Sequence, residues 1–291
     1  MSRALVLCIA ATLASAPVDA QQSAVWDSVG RILQASPTPA SGYVRFNFPR
    51  RDLTLRVGDV ALSPRLALGA WAGFSGTSQQ AMLMGDLVVT EAELLSVEAA
   101  LDSQHIAITG VHDHLVGESP RMTYLHVHGE GAAVELARRL DRALARTATP
   151  RGVAAPAAAP ITIDTATIFG ALGTSGTANG AVAQINLVLV STPVRLHGET
   201  LVPALAAGTP INIQAVAPDR FVTTGDFAVT GDHVAAVVGA LVTHGITASS
   251  VHNHLIGESP PLYYIHFWGD GAPAAVLGGL KAALDAARSG P

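Results

Sequence analysis

The sequence has 291 residues, of which 49% are hydrophobic and 13% charged. Seventeen basic side chains against 22 acidic ones give a net charge of −5, and no basic run stands out. That balance excludes a nucleic-acid partner, whose phosphates require clustered Lys and Arg.

Residues 1–20 have the pattern of a secretory signal peptide. Arg3 is followed by an apolar run to Ala14 and a small-residue ending, Val18-Asp19-Ala20. The run is too short for a membrane span, which needs roughly 20 apolar residues, and no later stretch is a transmembrane candidate. The single cysteine, Cys8, lies inside this run. The mature chain is therefore expected to be exported, periplasmic or secreted, without disulfides. Any metal in it must be held by His, carboxylate and water.

The rest of the chain is an internal duplication. Residues 111–120 return as 251–260 with eight of ten positions identical and an offset of 140. The offset holds without a gap from Gly85-Asp86 (Gly225-Asp226) to Gly131 (Gly271). This predicts a first repeat domain over 21–146, an Ala/Pro-rich linker over 147–160 and a second repeat domain over 161–291. The two repeats can also pack on each other as an intramolecular pseudo-dimer.

In chain order, the first repeat predicts a helix over 25–34, answered by 164–172, then strands over 43–48 and 53–57 around a Pro-Arg-Arg turn. A strand over 80–89 runs into Thr90, an N-cap residue with Glu91 and Glu93 behind it, and a helix to about 103. Strands follow over 106–114 and 122–128, with 117–120 turning the chain between them. Val134, Leu136, Ala137, Leu140 and Leu144 then recur at helical spacing. The resulting β-α-β-β-α order argues for an α+β fold, two homologous repeats each with a mostly antiparallel sheet, compatible with a ferredoxin-like core.

The chemistry concentrates on the conserved spacing within the duplication. His112 and His114 are two apart at a strand end, so their imidazoles share a face. Glu118 follows the turn, and His126 returns on the next strand. Three imidazoles and one carboxylate suit a divalent metal, zinc first, with copper, manganese or iron as alternatives. The second repeat offers His252, His254, Glu258 and His266. Six of the 11 histidines thus fall in two matching triplets. Glu118 and Glu258 are candidates for fourth ligand or general base of a metal-dependent, hydrolase-like enzyme. The competing readings are a non-catalytic protein that sequesters metal or binds a small envelope ligand, and a hydrogen-bonded network without metal.

Other residues are accessory candidates. His128, replaced by Trp268 in the second copy, can add a ligand to the first site. Asp86 and Asp226 can orient an imidazole or stabilise a turn. Tyr124 and Tyr264 can donate a hydrogen bond to a ligand or simply pack. Arg50 and Arg51 can grip a carboxylate or phosphate, or lie solvated at their turn. The Gly-rich stretch over 170–180 lacks the Lys-Ser/Thr ending of a phosphate loop.

The string His-Asn-His-Leu…Glu-Ser-Pro…Tyr-x-His…Gly-x-Gly resembles the LppY/LpqO family of exported bacterial proteins, a family of unknown function. Both copies carry it, over 81–146 and 221–287. Phe48-Pro49-Arg50-Arg51-Asp52 and Gly69 to Phe74 add to the resemblance in the first copy alone. The first copy departs with Asp113, where the string has Asn. The resemblance implies export and a shared domain, and no particular reaction.

Overall fold

The computed structural model describes residues 18–153 and 156–289, with side chains from residue 24 onward. Most of the signal-peptide segment, Cys8 included, lies outside the described residues. No helix among the described residues is long and apolar enough to cross a membrane.

The first repeat runs α1 (Val18–Leu33), β1 (Thr38–Ala40), β2 (Tyr43–Pro49), β3 (Arg56–Val57), β4 (Val60–Ala61), α2 (Pro64–Ala67), β5 (Gly69–Gly76), β6 (Ala81–Thr90), α3 (Glu91–Ser103), β7 (Ala107–His112), β8 (Glu118–Ser119), β9 (Met122–Gly131) and α4 (Ala133–Leu144). The second runs α5 (Thr165–Leu172), β10 (Thr177–Asn179), β11 (Val182–Val188), β12 (Arg195–Leu196), β13 (Glu199–Thr200), α6 (Pro203–Ala206), β14 (Gly208–Ala217), β15 (Arg220–Thr230), α7 (Val234–Thr243), β16 (Thr247–His252), β17 (Leu262–Gly271) and α8 (Pro273–Ser289). Each repeat forms one six-stranded antiparallel sheet, in the orders β1-β2-β5-β6-β9-β7 and β10-β11-β14-β15-β17-β16. The fold is α+β. Because β6 and β7 both pair antiparallel with β9, they run parallel to each other with β9 between. This is the split β-α-β arrangement of a ferredoxin-like core, with β5 on the outer side of β6.

Local chemistry sets the element ends. Glu93 Oε2 accepts the Thr90 amide at 2.9 Å and completes a capping box at the start of α3. Asp164 accepts the Thr167 amide at the start of α5, and Gly173 closes that helix in the left-handed region. Two expectations are corrected. Of the strand over 53–57, only Arg56–Val57 pairs, with β4 and β8. In addition, β5 has no counterpart in the pattern. Three glycines in eight residues give it little strand propensity, and it forms because β2 and β6 bracket it.

Helices cover one face of each sheet. Phe46, Leu83, Leu125 and Val127 pack with Leu33, Val97, Leu101 and Leu140 in the first repeat. Ile185, Phe227, Ile265 and Phe267 pack with Leu172, Leu241 and Leu280 in the second. The other faces meet, and a third apolar cluster joins Met84, Trp71 and Tyr43 to Leu196, Leu201 and Leu205. The two repeats are therefore one packed pseudo-dimer. Gly73 marks the closeness of the contact, since a Cβ there would come within 2.5 Å of Leu205. With both faces covered, β6 and β15 are buried along almost their whole length, the Gly-Asp pair at the middle of each included.

Candidate metal centre

A β-bulge interrupts β7 between Ile108 and Gly110, and another interrupts β16 between Ala248 and Ser250. Each bulge turns a hydroxyl across the pseudo-dyad. Thr109 Oγ1 donates to the His254 carbonyl at 2.5 Å, and Ser249 Oγ donates to the His114 carbonyl at 2.7 Å. These reciprocal bonds hold the two His-x-His segments against each other.

As a result, the six histidines form one cluster, not two. The His112 and His252 rings stack at 3.7 Å between centroids. His114 stacks on His266 at 3.8 Å, and His126 lies 3.6 Å from His254. Each of these pairs combines the two repeats. Three overlapping groups have donor atoms all within 4.8 Å of one another: His112, His126 and His252; His112, His114 and His266; and Asp226, His252 and His254. These groups differ from the expected site of three histidines and one glutamate inside each repeat. The first two of these groups draw on both repeats, and the carboxylate in the third is an aspartate.

The second coordination layer is built from the Gly-Asp pair repeated on β6 and β15. His266 Nδ1 donates to the Gly225 carbonyl at 2.8 Å, and His126 makes the matching bond to Gly85. A carbonyl only accepts, so Nδ1 carries the proton and Nε2 keeps its lone pair for a metal. Asp226 Oδ2 lies 3.1 Å from His254 Nε2 and 3.6 Å from His266 Nε2. Asp86 Oδ2 lies 3.5 Å from His114 Nε2. Both aspartates are buried.

The cluster is poorly satisfied by protein alone. Both ring nitrogens of His112, the Nε2 atoms of His114, His126, His252 and His266, and Oδ1 of Asp86 and Asp226 are buried without a hydrogen-bond partner. Buried polar atoms are ordinarily paired. Burial, with the neighbouring imidazoles, holds His112, His114, His126 and His254 well below the usual imidazole range. Burial also lowers His252, and it lowers His266 to about 4 against the opposing pull of Asp226. The rings are therefore neutral at pH 7, the form that binds metal. Burial, and then the facing Asp226 carboxylate, push Asp86 well above the usual carboxylate range, while Arg45 pulls it down.

The remaining expected residues have other duties. Glu118 and Glu258 belong to none of the three groups. Each accepts the backbone amide four residues on, Met122 at 3.4 Å and Leu262 at 3.0 Å, and each braces the turn between strands. Tyr124 and Tyr264 pack face to face on His114 and His254 at 3.4 and 3.3 Å, while their hydroxyls donate to the Ala67 and Ala206 carbonyls. His128 stands apart from the cluster, with Nε2 3.6 Å from Glu130, which also meets His197 at 2.9 Å. Arg50 is buried, and all five of its N–H groups are engaged by Asp52, Glu93 and the Val88 carbonyl. It has no donor left for a ligand. Arg51 sits half-buried in the adjoining turn. Asp113 pairs with Arg121, whereas Asn253 donates to the Leu262 carbonyl, so the 113/253 difference concerns the loop and not the cluster.

Sequence reasoning missed Arg45 and Trp71. They line a cleft of about 550 Å³ between the repeats whose lining also includes Asp86, His114, His126, Asp226, His254 and His266. The signal was available in part, since Trp71 lies in the Gly69–Phe74 stretch noted only for resemblance.

Comparison with known proteins gives a family and no activity. No curated protein matches the chain. Among solved structures, EtuB from Clostridium kluyveri is 14% identical over 86% of this chain and 89% of that one, with a TM-score of 0.21. A trimeric bacterial microcompartment shell protein, PduB, is 10% identical over 88% and 91%, with a TM-score of 0.23. At those TM-scores neither likeness carries an argument about fold or function. A family model described as Domain of Unknown Function (DUF1259) matches residues 27–146 and again 166–286, so the chain belongs to that family as two tandem copies.

Proposed function

We propose that the chain is an exported metal-binding protein whose centre lies on the pseudo-dyad between its repeats. The observation that carries the reading is the convergence of six neutral imidazoles, six of whose buried nitrogens have no hydrogen-bond partner, on groups spanning at most 4.8 Å. Zinc is the first assignment, because imidazole nitrogen and carboxylate oxygen suit it and no thiolate is within the described residues. Copper, manganese and iron accept the same donors. Export rests on the signal-like segment over 1–20, in keeping with the LppY/LpqO resemblance.

A cleft that reaches the cluster favours a metal-dependent enzyme of hydrolase type. A bound metal would there lower the pKa of a water molecule or polarise a substrate oxygen. Asp86 and Asp226 are the acidic side chains lining that cleft, which adds them to Glu118 and Glu258 as candidates for the general base. The burial of His126 and His266 favours a second reading, sequestration of metal without turnover.

Elemental analysis of purified mature protein tests the centre. Bound zinc is expected, with a large loss in His112→Ala and in His252→Ala. If both variants keep the wild-type metal content, the centre is not where it is drawn. Hydrolysis of a panel of aryl esters and phosphoesters by the zinc-loaded protein then separates enzyme from sequestering protein.

A further inference from the structure

We propose that the cleft between the repeats binds an organic carboxylate, with its acid group on Arg45 and its other end toward the imidazole cluster. The inference deepens the metal-centre reading and rests on it for the second contact only.

Strand register builds the cleft. Asn47, Trp71, Asp86 and His126 are successive cross-strand partners along one row of the first sheet, and opposite partners project to the same face. Arg45, two residues before Asn47, joins that face. Its guanidinium lies 4.2 Å from the centroid of the Trp71 ring, and its Nε donates to Asn47 Oδ1 at 2.8 Å. The row therefore leads from a cation held on an aromatic plate to the metal-competent histidines.

The guanidinium on that row has no direct ion pair. Among the described residues, no carboxylate lies within ion-pair distance of the half-buried Arg45, although the fully buried Arg50 has two. Arg65, also lining the cleft, is exposed at its rim and likewise has no ion pair. A guanidinium that is partly desolvated and unpaired in a concave site is a recognition element for a planar anion. Burial lowers the pKa of Arg45, with Tyr43 and Asp86 opposing, in keeping with a site that lacks its counter-ion.

Size and charge select the class of anion. A cleft of about 550 Å³ suits a small molecule rather than a polymer chain. A carboxylate carries one negative charge at neutral pH, which one inner arginine balances. A phosphomonoester carries nearly two and would face Asp86 and Asp226. Asn47 and Asn186 on the walls offer hydrogen bonds to further oxygens, and Trp71 and Tyr43 supply an apolar surface. The fitting ligand is thus a small carboxylic acid bearing other oxygen donors.

Calorimetric titration of the zinc-loaded full chain with glucuronate and with gluconate tests this, with glucose and inorganic phosphate as comparators. The two carboxylates are expected to bind at least tenfold more tightly than glucose or phosphate. Arg45→Gln is expected to weaken carboxylate binding at least tenfold, and Arg65→Gln severalfold, with zinc content and thermal midpoint unchanged in both. The inference is overturned if neither carboxylate binds, if glucose or phosphate binds as well, or if both variants keep wild-type affinity. Zinc content is measured in the same samples, so a protein that takes no zinc counts against the metal centre and not against the Arg45 contact, which chelator-treated protein then tests by the same variants.

Discussion

The bond from His266 Nδ1 to the Gly225 carbonyl decides which nitrogen a metal would meet, and Asp226 behind it decides how the neighbouring ring is held. Outer partners of this kind typically contribute a factor of 10–100 in metal affinity. Asp226→Asn is therefore expected to weaken zinc binding by roughly 10–100-fold without unfolding the protein, as read by competition with a chromogenic chelator. The lowered imidazole pKa values also set a pH dependence. Below the ordinary value of 6.5 the unfolded chain binds protons that the buried rings refuse, so stability is full above that pH and is lost as pH falls. For His266 the loss continues down to about 4. Asp86 acts the other way, since burial raises its pKa in the fold and it therefore favours the folded state more at low pH than at high. With six cluster imidazoles lowered against two raised carboxyls, Asp86 and Glu118, the histidines dominate. Thermal unfolding of chelator-treated protein is expected to show a midpoint that falls steeply from pH 6.5 to 4. A flat profile over that interval would contradict the buried, neutral cluster.

At the scale of elements, two short devices position everything else. One is the capping box of α3, where Glu93 binds the Thr90 amide, the Ala148 amide and Arg50 at once. It ties β6, α3 and the start of the inter-repeat segment to one side chain. Arg50→Ala removes the cation from two partly buried carboxylates, and the expected cost is on the order of 3 kcal/mol in denaturant unfolding. The other device is the β7 bulge. Gly110, next to it, lies under the second repeat, and a Cβ there would come within 2.6 Å of the Asn253 carbonyl and 3.2 Å of His126. Backbone cannot yield cheaply, so Gly110→Ala is expected to cost about 1–3 kcal/mol and to lower zinc affinity together with stability. The helix-forming and turn-forming signals of these elements were readable, because caps, helical spacing and Gly/Pro turns are local. The β5 strand was not, because its glycines carry no local preference and only its neighbours make it a strand.

For the whole molecule, the central fact is that the histidines of both repeats form one cluster. His112 belongs to two of the three donor groups and stacks on its own counterpart, His252. Two independent sites would lose one metal equivalent in His112→Ala and keep the other at full affinity. A shared centre predicts that the single substitution weakens all binding, which a zinc titration of the variant resolves. Metal that bridges both repeats also stabilises their union by mass action. Chelation is therefore expected to lower the thermal midpoint of the full chain, and His112→Ala is expected to abolish that difference.

The sequence by itself determined the duplication, the α+β order of the elements and the identity of the six clustered histidines, since these follow from identity at a fixed offset and from local periodicity. It did not determine the partners of those histidines. Period-two alternation put His112, His114 and His126 on a common face, but which face of which repeat lay opposite them depended on sheet packing. Only the tertiary structure decided that His112 meets His252, that Asp226 and not Glu258 joins the donors, and that Arg45 and Trp71 share the cleft. The physical reason is that a metal centre is a property of convergence in space. Here the convergence comes from two non-local contacts, Thr109 to His254 and Ser249 to His114, each separated in the chain by more than a hundred residues.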